Sequence, residues 1–110
     1  MKTPLCLLTL AIATVALSTY GADATANWKD QCVKCHGESG KGDTKMGKKL
    51  SISDFTDAKV QATFTDEEAF KAMKQGLADD KGKTTMKAIE GLSDGEMKAL
   101  VPYVRSLVKK

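Results

Sequence analysis

The sequence predicts an all-α domain: three main helices, joined by long loops that wrap something other than protein. Three observations carry that reading. Two capping boxes, Thr65 with Glu68 and Ser93 with Glu96, each open an apolar stripe at helical spacing. No run of alternating β-branched residues bounded by hairpin turns occurs, so no strand is expected. Residues 36–64 and 78–92 are irregular, and the first of these stretches covers 29 residues and is rich in Gly, Lys, Ser and Asp. Structureless connections of that length are uncommon inside a compact domain, unless they enclose a group that is not polypeptide.

The first segment of the chain stands apart from the fold. Lys2 gives a positive start, Leu5–Leu17 is apolar except for Thr9 and Thr14, and small residues follow. This is the pattern of a secretory signal with a cleavage region within 21–26. These 13 residues fall short of the roughly 20 that a membrane-crossing helix needs. Export to a bacterial periplasm is the expected consequence, with no stable membrane insertion of the mature chain. Cys6 leaves with the signal, so the mature chain keeps Cys32 and Cys35, which are too close in sequence for a long-range disulfide.

The net charge of +3 comes from lysines, with Arg105 the single arginine among 110 residues. Nucleic-acid readers rely on arginine forks and aromatic stacking, and this composition argues against such a partner. A modest lysine surplus suits transient docking on an acidic protein face, and equally suits a plain solvated surface.

The first helix is predicted over 24–34, where Trp28, Cys32 and Cys35 recur on one face. A short helix is expected over 57–62. The second main helix starts at Thr65, is favoured by Asp66–Glu68 at its positive end, and stops at Gly76. Its stripe is Ala69, Phe70, Met73 and Leu77. The third opens at Ser93 and carries Met97, Leu100, Val101, Val104, Leu107 and Val108 at helical spacing, with Lys109 and Lys110 suited to its negative end. Pro102 lies inside it, removes one backbone donor, and predicts a kink.

The chemistry concentrates in "CVKCH", Cys32 to His36, and His36 is the only histidine in the chain. A zinc site wants four ligands, usually from two cysteine or histidine pairs, and the second pair is missing. A thioredoxin-like dithiol sits at the start of a helix in a βαβ setting, whereas this pair closes a helix in a chain without strand signals. Cys-x-x-Cys-His is the signature of covalent haem attachment. Two thiols bond the porphyrin's vinyl groups, and the next residue supplies an imidazole to the iron. One helical turn holds all three, which explains why they are consecutive. A buried porphyrin would also fill a core short of aromatic residues.

A second axial ligand cannot be histidine within one chain. Met46, Met73, Met86 and Met97 are the candidates. Met73 and Met97 belong to apolar helical stripes, and Met46 follows His36 closely in a lysine-rich loop on the proximal side. Met86, in the stretch between the second and third helices, is free to fold over the opposite face, giving His/Met ligation. The alternative is that Met86 is an ordinary loop residue and the iron keeps five ligands. With both axial positions filled, the metal only gains and loses electrons, which makes the chain a carrier rather than an enzyme.

These residues resemble class I cytochromes c, the small soluble monohaem carriers, over about Ala24 to Leu107. "CVKCH" lies near the front and Met86 near the back, as in that family. Trp28 stands at the family's aromatic position four residues before Cys32, and Ala24 takes the place of its preferred glycine. "LVPYV" is similar to the family's Leu-x-x-Tyr-aliphatic pattern. The resemblance implies a cytochrome c fold, with Leu100 and Tyr103 crossing the first helix at Ala24 and Trp28. It places cleavage just before that crossing, dividing the chain into a signal over 1–22 and a cytochrome domain over 23–110. It also implies one covalent haem c held by Cys32, Cys35, His36 and Met86. "GKKL", Gly47 to Leu50, stands where many members have Gly-Pro-x-Leu, so that Lys48 would offer the carbonyl that accepts a hydrogen bond from the proximal imidazole. One haem edge would lie near the surface, ringed by Lys34, Lys41, Lys48, Lys49, Lys83 and Lys87.

The function so implied is a monomeric periplasmic carrier of single electrons between respiratory or dehydrogenase partners with acidic docking faces. Two alternatives stay open: a haem protein with a labile or absent methionine ligand, showing peroxidase-like or gas-binding activity, and a dedicated cytochrome subunit of a larger oxidoreductase.

Overall fold

The computed structural model describes residues 20–109, with side chains from Ala24 onward. The predicted signal therefore lies outside the described residues, except for 20–22, which open the first helix. In chain order the elements are α1 (Tyr20–Gln31), α2 (Val33–His36), α3 (Lys45–Lys49), α4 (Ala58–Gln61), α5 (Asp66–Gln75), β1 (Leu77–Ala78), β2 (Thr84–Met86) and α6 (Asp94–Ser106). Among the described residues no helix is long and apolar enough to cross a membrane.

Both predicted capping boxes form. Thr65 and Ser93 each accept from the backbone N–H three residues on, while Glu68 and Glu96 reach back to the cap N–H groups. Each box satisfies donors that a helix start otherwise leaves unpaired. The short helix expected over 57–62 is α4, with the Asp57 side chain accepting from the Lys59 N–H at its start.

The core lies where α6 crosses α1. Ala24, Trp28, Cys32, Met73, Met97, Leu100, Val101 and Val104 are buried together, and Leu100 is fully enclosed. Tyr103 packs its ring 5.4 Å from that of Trp28, as the crossing of Leu100 and Tyr103 over Ala24 and Trp28 requires. Asn27 donates to Glu96 at 3.3 Å across the same junction.

Three sequence expectations are corrected. The first helix does not run through Lys34: it ends at Gln31, and the chain makes a separate turn, α2, beyond Cys32. The 36–64 stretch is more ordered than expected, because α3 occupies part of it in addition to the helix expected over 57–62. Strand pairing does occur: β1 and β2 form an antiparallel two-stranded hairpin, with Leu77 opposite Met86. These strands are too short for an alternation signal, and tertiary packing rather than β propensity sets them. Pro102 lies inside α6, as the sequence places it, and is exposed.

Arg105 ties the far end of α6 to the preceding loops. It donates to the Gln61 and Phe64 carbonyls, to the Gln61 side-chain oxygen at 3.0 Å, and to Asp66 at 2.8 Å. Buried Gln61 in turn donates to the carbonyls of Phe55 at 2.7 Å and Val104 at 2.9 Å. The chain's single arginine is thus a structural clamp, consistent with a guanidinium's several donors in one plane.

Candidate functional site

Cys32 opens α2 as its N-cap, and the His36 N–H returns to the Cys32 carbonyl at 2.9 Å. The two cysteines and the histidine therefore share one turn. Gly37 stops it at φ 82°, ψ 162°, a backbone region open essentially to glycine alone. The chain then doubles back, and the Gly42 N–H donates to the His36 carbonyl at 2.8 Å.

α3 is pressed against this turn. The Thr44 hydroxyl donates to the Cys35 carbonyl at 2.8 Å and accepts from the Gly47 N–H at 2.9 Å. A Cβ at position 47 would meet the Gly42 carbonyl and lie 2.5 Å from the Cys35 carbonyl oxygen. Gly47 is required by that close approach.

The His36 ring is enclosed by aromatic neighbours. Phe55 stacks on it at 5.0 Å with 20° between the planes, and Trp28 tilts against it at 5.8 Å. Trp28 is itself held by its indole N–H, which donates to the Glu38 carbonyl at 3.3 Å. Burial pulls the imidazole below its ordinary value, so it is neutral at pH 7. Its Nδ1 is buried without a hydrogen-bond partner.

That orphan nitrogen corrects the expectation for Lys48. Unlike proline, Lys48 has an N–H, which donates to the Thr44 carbonyl at 2.9 Å and makes position 48 part of a helical turn. Its carbonyl then accepts from Ser51 at 3.3 Å within the chain's own turn rather than from the imidazole.

Both Cys32 and Cys35 are free thiols, Cys32 buried and Cys35 half-buried. Burial, with a smaller contribution from Cys35, pushes the Cys32 thiol up to about 11. A thiol so protonated is a poor redox nucleophile. No group of three or more His, Cys, Asp or Glu side chains gathers among the described residues in a metal-holding arrangement. The zinc and dithiol readings thus lose their geometric footing. The donor set fits a haem instead: a neutral imidazole enclosed by aromatic rings without a protein partner at Nδ1, and two unpaired thiols in the same turn.

Met86 sits half-buried in β2 and packs against the core that contains Cys32. It lines a cavity of about 730 Å³ between the end of α1, the end of α5 and the hairpin. Gln31, the residue before Cys32, lines the same cavity. Met73 and Met97 are buried in the core, as their stripes predict, and Met46 is half-buried in α3. The stretch around Met86, expected as a flexible loop, is instead a strand. Lys34, Lys41, Lys48, Lys49, Lys83 and Lys87 are all exposed.

Sequence reasoning missed three contributors. Thr44 ahead of Gly47 is legible as a helix cap in retrospect, since threonine three residues before an amide it can bond is a start signal. Phe55 against His36 has no local signal. Nor does the packing at Gly76, described below.

The cytochrome c family model matches residues 21–108. Among solved structures, the c-type cytochrome KustC0563 is 32% identical, with a TM-score of 0.68 over 79% of this chain and 99% of that one. A tyrosine-to-phenylalanine mutant of Kustc0563 gives 31% identity and a TM-score of 0.65, covering 77% of this chain and 98% of that one. A chain of the Kuenenia stuttgartiensis reducing HAO-like protein complex Kustc0457/Kustc0458 shares the fold at 21% identity and a TM-score of 0.61, over 78% of this chain and 41% of that one. No curated protein sequence matches the chain. A turn with two unpaired thiols and a neutral imidazole, the α1–α6 crossing and these likenesses agree: the chain belongs to the cytochrome c family, whose members bind haem c covalently and use it for electron transfer.

Proposed function

We propose that this chain is an exported, monomeric carrier of single electrons, with residues 1–22 as a cleaved signal and 23–110 as the cytochrome domain. The observation that carries the reading is the shared turn of Cys32, Cys35 and His36, whose Cys32 belongs to the core against which Met86 packs. Cys32 and Cys35 are the covalent attachment points. Both are unpaired thiols, Cys32 buried and Cys35 half-buried. With Nδ1 enclosed, His36 presents Nε2 as the proximal ligand, and its neutral ring needs no proton removed before it binds a metal. Met86 is the second residue that would hold the iron, and its thioether would leave oxygen and small substrates no open site there. A haem held this way supplies reversible one-electron chemistry at iron, and the thioether ligand raises its potential.

Phe55 and Trp28 exclude water from the proximal ring and hold its plane. The exposed lysines Lys34, Lys41, Lys48, Lys49, Lys83 and Lys87 favour brief encounters with acidic faces of redox partner proteins in the periplasm, encounters that weaken as salt rises.

The test is mass and absorption spectra of protein secreted from a host able to attach haem. Wild type should weigh one haem more than its polypeptide and show the low-spin spectrum of a sulfur-ligated iron. Met86→Ala should keep the haem, lose the sulfur-to-iron absorption, and bind carbon monoxide readily when reduced. Colourless protein of polypeptide mass would sink the proposal. A Met86→Ala spectrum identical to wild type would remove Met86 from it.

A further inference from the structure

Met86 is held by backbone. Its strand pairs with β1 so that Leu77 faces Met86, with a register irregularity at Leu77/Ala78. At the hairpin tip, the Asp79 carboxylate accepts from the N–H groups of Lys81 and Lys83, both at 2.9 Å, and the Asp79 N–H donates to the Lys83 carbonyl at 2.9 Å. Downstream, the Ile89 N–H donates to the Met73 carbonyl on α5 at 2.8 Å. The segment carrying Met86 is therefore fastened at both ends to the last turn of one helix.

The root of that fastening is Gly76. It caps α5 at φ 76°, ψ 179°, a combination essentially reserved for glycine, so that even asparagine is excluded. A Cβ there would lie 2.5 Å from the Met86 carbonyl oxygen, 2.9 Å from the Ala88 nitrogen and 3.3 Å from the Lys87 carbonyl carbon. Gly76 thus performs two tasks: it turns the chain out of α5, and it lets residues 86–88 lie directly on that turn.

We infer that Gly76 is a positioning residue for Met86, and that residues 76–89 form a stiff strap holding the thioether in place rather than a loop that releases it. The inference rests on the reading of Met86 as distal ligand and goes beyond it. It separates a closed carrier from a haem protein with a labile methionine, and assigns the difference to one glycine. A side chain at 76 must push the 86–88 backbone outward, and Met86 moves with it.

Gly82 provides the control. It lies at the tip of the same hairpin at φ 80°, but a Cβ there has no atom within 4 Å. Alanine at 82 carries a left-handed backbone penalty without touching Met86. The experiment compares haem-loaded wild type, Gly76→Ala, Gly82→Ala and Met86→Ala by the sulfur-to-iron absorption and by the rate of carbon monoxide binding to the reduced form. Gly76→Ala should lose most of the sulfur absorption and bind carbon monoxide about tenfold faster than wild type or more, the order of population shift that such backbone strain produces. Gly82→Ala should match wild type in both. A Gly76→Ala protein with unchanged absorption and rate overturns the inference while leaving Met86 as ligand. If Met86→Ala itself changes neither, the ligand assignment fails, a different result. Should Gly76→Ala not accumulate, wild type decides: slow carbon monoxide binding limited by strap opening supports the strap, and rapid stoichiometric binding at neutral pH overturns it.

Discussion

On the side of Cys35 and His36, consecutive residues hold the chemistry, and backbone rests on backbone behind them. Thr44 grips the Cys35 carbonyl, Gly42 closes on the His36 carbonyl, and Gly47 lets α3 approach both. On the side of Met86, one side chain reaches the cavity from a hairpin whose root, Gly76, and tether, Ile89, lie on α5. The proximal wall joins the core through Cys32 and Trp28, which are buried, whereas Leu77, beside the strap's root, is 51% exposed. A wall built from one turn survives small displacements of its neighbours, because its three donors move together. A wall built on a tertiary contact does not, because its single donor is only as well placed as the contact.

The largest expected effect is one that strikes both walls. Leu100 is fully buried where α6 meets α1, and Leu100→Ala should cost about 2–5 kcal/mol in urea unfolding of the haem-loaded protein, the range for such cavities. The sulfur absorption in native buffer should persist, since the backbone hydrogen bonds of the strap run to α5 and within the hairpin rather than to α6. Loss of that absorption before unfolding would show that the walls are not separable.

Gly47→Ala isolates the proximal wall. Its new methyl group would drive α3 off Cys35 and Gly42, and about 1–3 kcal/mol of destabilisation is expected from overpacking of this kind. Stability should fall with Met86 still bound, the reverse of the pattern for Gly76→Ala. Equal loss of sulfur ligation in the two variants would erase the contrast.

The smallest effect concerns the α1–α6 junction that both walls share. Hydrogen bonds from the Ser93 backbone, its hydroxyl-capped turn and Asn27 hold the Glu96 carboxyl below its ordinary 4.5. A carboxyl whose pKa falls on folding binds fewer protons folded than unfolded, so its contribution is present above 4.5 and is lost as pH drops through the lower folded value. Melting temperature should therefore fall less steeply on acidification in Glu96→Gln than in wild type. Parallel curves would mean that this capping box contributes nothing pH-dependent.

Much of this was legible because its causes are local. Both capping boxes, the stop at Gly76, the helix at 58–61 and the buried stripe of Met97, Leu100, Val101 and Val104 follow from residues within a turn or two of one another. The hairpin escaped notice because two- and three-residue strands have no alternation to read. α3 escaped because its sequence, "KMGKK", has no apolar stripe, and its cap at Thr44 is a single residue. The Lys48 expectation failed for a related reason: replacing an imino acid with one that carries an N–H gave the segment a helical turn, and the turn took the carbonyl.

The order of residues alone determined the chemistry of attachment and the family, since Cys32, Cys35 and His36 are brought together by a single helical turn whatever surrounds them. It likewise determined α5 and α6, whose capped starts and apolar faces are written within each segment. Only the tertiary structure decided what encloses the imidazole and what carries Met86: Phe55 over His36, α3 on the Cys35 carbonyl, and the strap on Gly76. These are contacts between backbones or rings from separate segments. A glycine that permits such an approach looks, in the sequence, like any other glycine.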